Sequence, residues 1–565
     1  MNRNLLFTAL IASVSLAACD SGDINIQPQT TVTDSNNTTN QGGGGSGTNP
    51  CASITVGGSP VQGSFDGNSG NCTYPDIVGA GNNLTSDLFI PALSNGGAHI
   101  FEGSLFVGET CTSDACLQAA GITEGGDGPT LTIEAGATLA WRTSSDFLII
   151  NRGSQVFARG RADAPITFTS VSDVNGSVGP EDVQQWGGMV INGFGVTNKC
   201  AYTGTRGQAG FGLDPVLQPD GCHVDAEGSA GLDESQYGGA NDADNSGELS
   251  YVVVKHTGAQ VGNGDELNGI SFGGVGSGTV VNNLQVYSTF DDGIEMFGGS
   301  FDIDNFVGVY VRDDTLDIDE GYQGTITNSL IVQSAEWGNH CIEADGLGSF
   351  SNLGAGVPED FIARNLNSNV TFNNITCIIS PQPKKGDFDP GAGFRFREGM
   401  YFNVNNGLVI TAFAANDQTS TNDNYCLRLD DGVTDTGAAN GDSNLNSVIF
   451  ACQEPFHNDV DDGGFAAAEG NIVATIANNT AVSATAVNNP ELQLLEGTIP
   501  VFSIDYATSQ VDGAAPGASS TPVLIGGETT RTFLGAVSQA SDYTANWTYG
   551  LDPANRGQAL WFEAL

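Results

Sequence analysis

The chain has 565 residues and a lopsided composition: 78 glycines, 65 acidic against 17 basic residues, and a formal net charge of -48. So negative a protein is repelled by nucleic acid and by anionic membrane surfaces, which excludes binding to either through charge. An apolar fraction of 39% with 29 phenylalanines excludes a disordered chain and leaves a folded, acidic protein.

The first element is a leader. Residues 1–18 carry Arg3, an apolar run from Leu5 to Ala18, and small residues before Cys19, the grammar of a secretory signal peptide. The ending "LAAC" resembles the lipobox of bacterial lipoproteins, which implies cleavage before Cys19 and a diacylglyceryl anchor on its thiol. Asp20 resembles the inner-membrane retention signal of enteric bacteria. The expected location is therefore the outer membrane, on its periplasmic or cell-surface face, with inner-membrane retention as the alternative. No later segment is apolar enough to span a bilayer. Residues 19–50 lack large aromatics and end in a glycine run, which reads as a flexible, disordered tether.

From 51 to 470 the chain reads as short strands punctuated by Gly, Asn and Asp, and the strands repeat. "GISFGG" (269–274), "GIEMFGG" (293–299), "TLDIDEG" (315–321), "CIEADG" (341–346), "GFRFREG" (393–399) and "CLRLDDG" (426–432) each alternate apolar and polar residues, then turn at glycine. The first spacings, Ile270 to Ile294, Leu316 and Ile342, are 24, 22 and 26 residues. Second alternating strands, such as "GTVVNNLQVYS" and "GTITNSLIVQS", follow most of them. A fixed period of short strands predicts an all-β fold, a parallel β-helix. The alternative, a series of β-sandwiches, would show hairpins without a common register. Residues 471–565 read as a β-rich extension that packs on or caps the solenoid.

In this register Leu316, Ile318, Ile342, Ala344, Phe394 and Phe396 point inward. One outward column then reads Ser271, Glu295, Asp317, Glu343, Arg395, Arg428, and the next Phe297, Asp319, Asp345, Arg397, Asp430. Strands about 4.8 Å apart stack Glu295, Asp317 and Glu343 as like charges, which destabilises unless something intervenes. Calcium bridging Glu295, Asp317, Asp319, Glu343 and Asp345 is one reading. A solvated acidic face, screened by salt and partly offset by the arginines, is the other. A second calcium candidate is "DADNSGE", with Asp242, Asp244 and Ser246 at positions 1, 3 and 5 of an EF-hand-like loop and a carbonyl at Glu248. Its position 12 is Val253, so an Asx-rich turn without an ion is equally expected.

Two function classes follow. One is a non-enzymatic, calcium-loaded surface protein that captures a ligand or docks a partner. The other is a calcium-dependent polysaccharide lyase or glycoside hydrolase. There Arg395, Arg397 and Arg428 would contact an extracellular glycan, Lys384 and Lys385 lie nearby in sequence, and Asp317 and Asp345 would act as acid and base. His340 with Glu343 has the makings of a metal pair but reads as a surface histidine, and Trp186 reads as core. Besides Cys19 there are ten cysteines, predicted to pair in chain order: 51 with 72, 111 with 116, 200 with 222, 341 with 377, and 426 with 452.

"WGGMVINGFG" (186–195), "YGGANDADNSGELSYVVV" (237–254), "ELNGISFGGVGSGT" (266–279), "DDGIEMFGG" (291–299), "RDDTLDIDEGYQG" (312–324), "FRFREG" (394–399) and "FLGAVSQASDYTANWTYGL" (533–551) form an ordered series. It resembles a family of lipoproteins from Gram-negative bacteria and spirochaetes, the leptospiral outer-membrane lipoproteins among them. The resemblance spans most of 130–551. It implies a right-handed β-helix displayed at the outer membrane, alongside TonB-dependent uptake systems, and implies no particular chemical activity.

Overall fold

A strand that alternates apolar and polar residues buries one face only, and copies at constant spacing bury it by stacking on one another. The computed structural model describes residues 49–564 apart from internal stretches, the longest being 381–390, 412–424, 459–471, 476–493 and 506–521. The leader, Cys19, the tether and Lys384 and Lys385 lie outside the described residues. The rest builds a parallel β-helix.

Its first sheet has ten strands, running from Leu105–Val107 through Ile270–Gly273, Ile294–Phe297, Leu316–Asp319, His340–Asp345, Ala392–Arg397 and Tyr425–Leu429 to Glu454–Asn458. All its strand pairs are parallel, and the register is the expected one. Ser271 lies opposite Glu295, Glu295 opposite Asp317, Asp317 opposite Glu343, Glu343 opposite Arg395, and Arg395 opposite Arg428. Leu316, Ile318, Ile342, Ala344, Phe394 and Phe396 are fully buried inside, as is Trp186.

The second sheet differs from expectation. Its strands do not run straight but bend at a residue with positive φ: Asn283, Asn305, Asn328, Asn374 and Asn406 in successive coils. Each bend flips the inward phase, so that Phe372 and Ile375, three residues apart, are both buried on either side of Asn374. Asparagine tolerates the left-handed region because its short amide bonds locally. Here those amides stack, with Asn328, Asn374 and Asn406 each donating to the carbonyl oxygen of the one before at 2.9 Å. Where Asn283, Asn305, Asn328 and Asn374 bend a strand, it serves both legs of the second sheet; in other coils the legs are separate strands, as in Tyr401–Asn405 and Leu408–Thr411.

The five disulfides join cysteines in chain order, as predicted. Cys341–Cys377 and Cys426–Cys452 tie the first sheet to the second through the interior. An antiparallel hairpin, Ser53–Val56 with Ser59–Gln62, precedes the coils. The C-terminal segment lies along the second sheet. Leu534, Val537, Trp547, Leu551 and Phe562 pack on Val309, Leu330 and Ile378, while Gln285 exchanges two 2.7 Å hydrogen bonds with the Tyr549 backbone. No helix among the described residues is long and apolar enough to cross a membrane.

Candidate metal centre on the first sheet

The outward columns are not a solvated face. Glu295, Glu343 and Asp345 are buried, and Asp317 and Asp319 are half-buried. Register alone put these side chains outside the solenoid; elements elsewhere in the chain then crowd them. Glu227, on the connection before Gln236–Tyr237, reaches Asn268, which also donates to Glu295 at 2.6 Å. Glu266 in the hairpin Gln260–Gly262/Asp265–Glu266 adds another carboxylate close to Asp313.

A further column, absent from the expected set, completes the site. Two residues before the first inward apolar residue of successive strands stand Asn268, Asp292, Asp314, His340, Ala392 and Tyr425. Their backbones are in step: the carbonyls of Asp292, Asp314 and His340 accept from Gly269, Gly293 and Thr315 of the preceding coil. The signal was in the sequence, because extending the aligned repeats two residues towards their N-termini reads N, D, D, H, A, Y. Asp291, Asp292, Asp313 and Asp314 thus join Asp317 on one side of the sheet.

The result is three overlapping groups, each with its ligand atoms within 4.8 Å of one another: Asp291–Asp292–Asp313, Asp292–Asp314–Asp317 and Asp314–His340–Glu343. Asp292 belongs to the first two and Asp314 to the last two. Among the described residues, no Lys or Arg forms an ion pair with Asp291, Asp292, Glu295 or Asp317. Burial first, and then neighbouring carboxylates, pushes all four, with Asp314, well above the usual carboxylate range. Burial and crowding thus favour the protonated form of these groups, and a bound cation would favour the ionised one. Carboxylate oxygens alone suit a hard dication such as calcium.

Further along the same columns the charges are matched. Arg395 pairs with Glu343 at 2.8 Å and Asp430 at 2.7 Å, Arg397 pairs with Glu343 at 2.9 Å and with Asp345, and Arg428 pairs with Asp430. Burial opposes the charge of Glu343, but His340, a hydrogen bond from Asp314 and the two arginines outweigh it and hold the group below its ordinary range. The three arginines expected to contact a glycan are therefore occupied by this chain's own carboxylates.

His340 corrects the surface reading. It is 5% exposed, with Nδ1 2.8 Å from Asp314 Oδ1 and Nε2 2.6 Å from Tyr425 Oη. Burial, with three arginines nearby, lowers it to about 4.

The EF-hand-like stretch does other work. Asp242 is held by Arg206, itself 2% exposed, and Asp244 accepts from the Gly125 and Phe194 amides at 2.7 and 2.9 Å. Ser246 donates to the Asn192 carbonyl, and Glu248 pairs with Arg159. The three carboxylates face protein donors, and Asp242, Asp244 and Glu248 form none of the ion-sized groups among the described residues. The missing position-12 glutamate was the sequence's own warning. Trp337 carries the Arg312 guanidinium over its ring. A cavity of about 700 Å³, lined by Leu117, Ile122, Phe194 and Leu213 with Asp114 and Arg152, lies away from the acidic groups.

A family model for pectate-lyase-like β-helix domains matches residues 113–491. No curated protein and no solved structure matches the chain.

Proposed function

Because the chain belongs to the pectate-lyase-like β-helix domain family, we propose that its first sheet is a calcium-loaded recognition face that captures a ligand or docks a partner without turning it over. The carrying observation is the set of carboxylates around Asp292 and Asp314, buried or half-buried and converging within ion-ligand distance, of which Asp291, Asp292 and Asp317 form no ion pair with a Lys or Arg among the described residues. Leaving such charges unmatched costs several kcal/mol per ion, on the order of what one dication recovers. The lipobox-like leader extends the reading: the lipid on Cys19 places the solenoid at the outer membrane, where a TonB-dependent receptor or an extracellular glycan is the partner.

The enzyme reading rests on the family's lyase-like description. Against it, Arg395, Arg397 and Arg428 are tied to Glu343, Asp345 and Asp430, so none stands ready to remove a uronate proton. Calorimetric titration of the mature protein in low-salt buffer tests the leading reading. Heat saturating with calcium in the wild type and lost in Asp292→Asn supports it; no heat in the wild type ends it. Turnover of a uronate polymer, abolished by Arg397→Ala, would favour the enzyme instead.

A further inference from the structure

The three ion-sized groups are not chemically equal. Two offer oxygen only, whereas Asp314–His340–Glu343 adds an imidazole nitrogen. All three residues of that group are buried, at 3%, 5% and 8% exposure. Glu343 and His340 are each also held by a partner outside the group that leaves one donor atom turned towards its neighbours. Arg395 and Arg397 both take Glu343 Oε1, so Oε2 is the atom that faces His340, at 4.0 Å. Tyr425 Oη takes His340 Nε2 at 2.6 Å, so Nδ1 is the atom that faces Asp314. Tyr425 reaches across because the residue between it and His340 in the column is Ala392, whose side chain is too small to block the way.

This is the arrangement in which a histidine ligates metal: its second ring nitrogen donates to an oxygen, which fixes the tautomer and aims the other lone pair. Two carboxylates and one imidazole suit a borderline first-row dication better than calcium, for which nitrogen is a poor ligand. Three protein ligands also leave coordination positions open.

We propose that Asp314, His340 and Glu343 form a separate site for a transition-metal dication of the zinc or manganese class, next to the oxygen-only groups and sharing Asp314 with them. It rests on the same acidic face as the calcium reading, but on a different donor set. The ion is coordinated through His340 Nδ1 and one oxygen each of Asp314 and Glu343, with His340 Nε2–H donating to Tyr425.

The test uses the full chain, stripped of metal and loaded with one equivalent of manganese in excess calcium. Pulsed electron paramagnetic resonance should show coupling from a directly bound imidazole nitrogen. Manganese bound without that coupling, or no manganese retained, overturns the proposal and needs no variant that has to fold. Zinc competition then follows. His340→Gln should weaken zinc by about tenfold or more while calcium uptake is retained, and Asp291→Asn should lower calcium uptake and leave the nitrogen coupling in place. Zinc affinity unchanged in His340→Gln overturns the site. No calcium heat in the wild type, with the nitrogen coupling present, overturns the calcium reading alone.

Discussion

The two halves of the acidic columns share one register, one strand spacing and one sheet, yet they handle stacked carboxylates in opposite ways. From Glu343 onward, Arg395, Arg397 and Arg428 interleave with Glu343, Asp345 and Asp430, three cations among three anions. Before Glu343, the groups Asp291, Asp292, Glu295, Asp313, Asp314 and Asp317 gather on the same face. Among the described residues, no Lys or Arg forms an ion pair with Asp291, Asp292, Glu295 or Asp317. A face that neutralises itself is finished as soon as it folds. The boundary falls at His340, where an imidazole joins the carboxylates.

The largest effect comes from breaking the self-neutralised half. Arg397→Ala leaves Glu343 and Asp345 short of a partner and should cost about 3 kcal/mol by chemical denaturation. Arg397→Lys should cost less, and a loss below the error of the method would mean the pair is incidental. Next comes filling the other half: calcium at a hundredfold excess over its dissociation constant should stabilise the protein by about 2.7 kcal/mol. Thermal unfolding in calcium against chelator reads this, and the gain should vanish in Asp292→Asn.

The third effect is the pH dependence of the calcium-free protein. Asp292, Glu295, Asp314 and Asp317 sit well above their ordinary range when folded. Their contribution to stability is complete below the unfolded carboxylate pKa and is lost as pH rises towards the folded values, by up to about 1.4 kcal/mol per pH unit per group. Stability in chelator should therefore fall from pH 5 to pH 8, and calcium should flatten the slope by holding the groups ionised. A rise in chelator over that range would contradict the reading. The smallest effect sharpens the comparison from outside: Asp244→Asn, whose oxygens take the Gly125 and Phe194 amides, should leave calcium stoichiometry unchanged.

Much of this was legible because it is periodic. The alternation in "TLDIDEG" and "CIEADG" placed Leu316 and Ile342 inside and stacked Asp317 on Glu343, since strand register follows from period two and a near-constant coil length. The disulfide order followed closeness in the chain: Cys341–Cys377 and Cys426–Cys452 each cross the interior from a first-sheet strand to the second sheet. The asparagine bends were written in "NNL", "TNS" and "NNG" but were passed over, because alternation across Asn283 or Asn328 looks continuous until its phase is checked.

What the sequence by itself determined is therefore the solenoid, its inward core and the order of charges along its outward columns, all set by short-range repetition. Only the tertiary structure decided that this face is crowded rather than bathed in solvent. Glu227 and Glu266 arrive from elements outside the aligned repeats, and Tyr425 reaches His340 over Ala392 from 85 residues away. Local pattern states where a side chain points. What it meets there depends on elements far along the chain, and that meeting separates a wet acidic surface from a buried cluster of carboxylates.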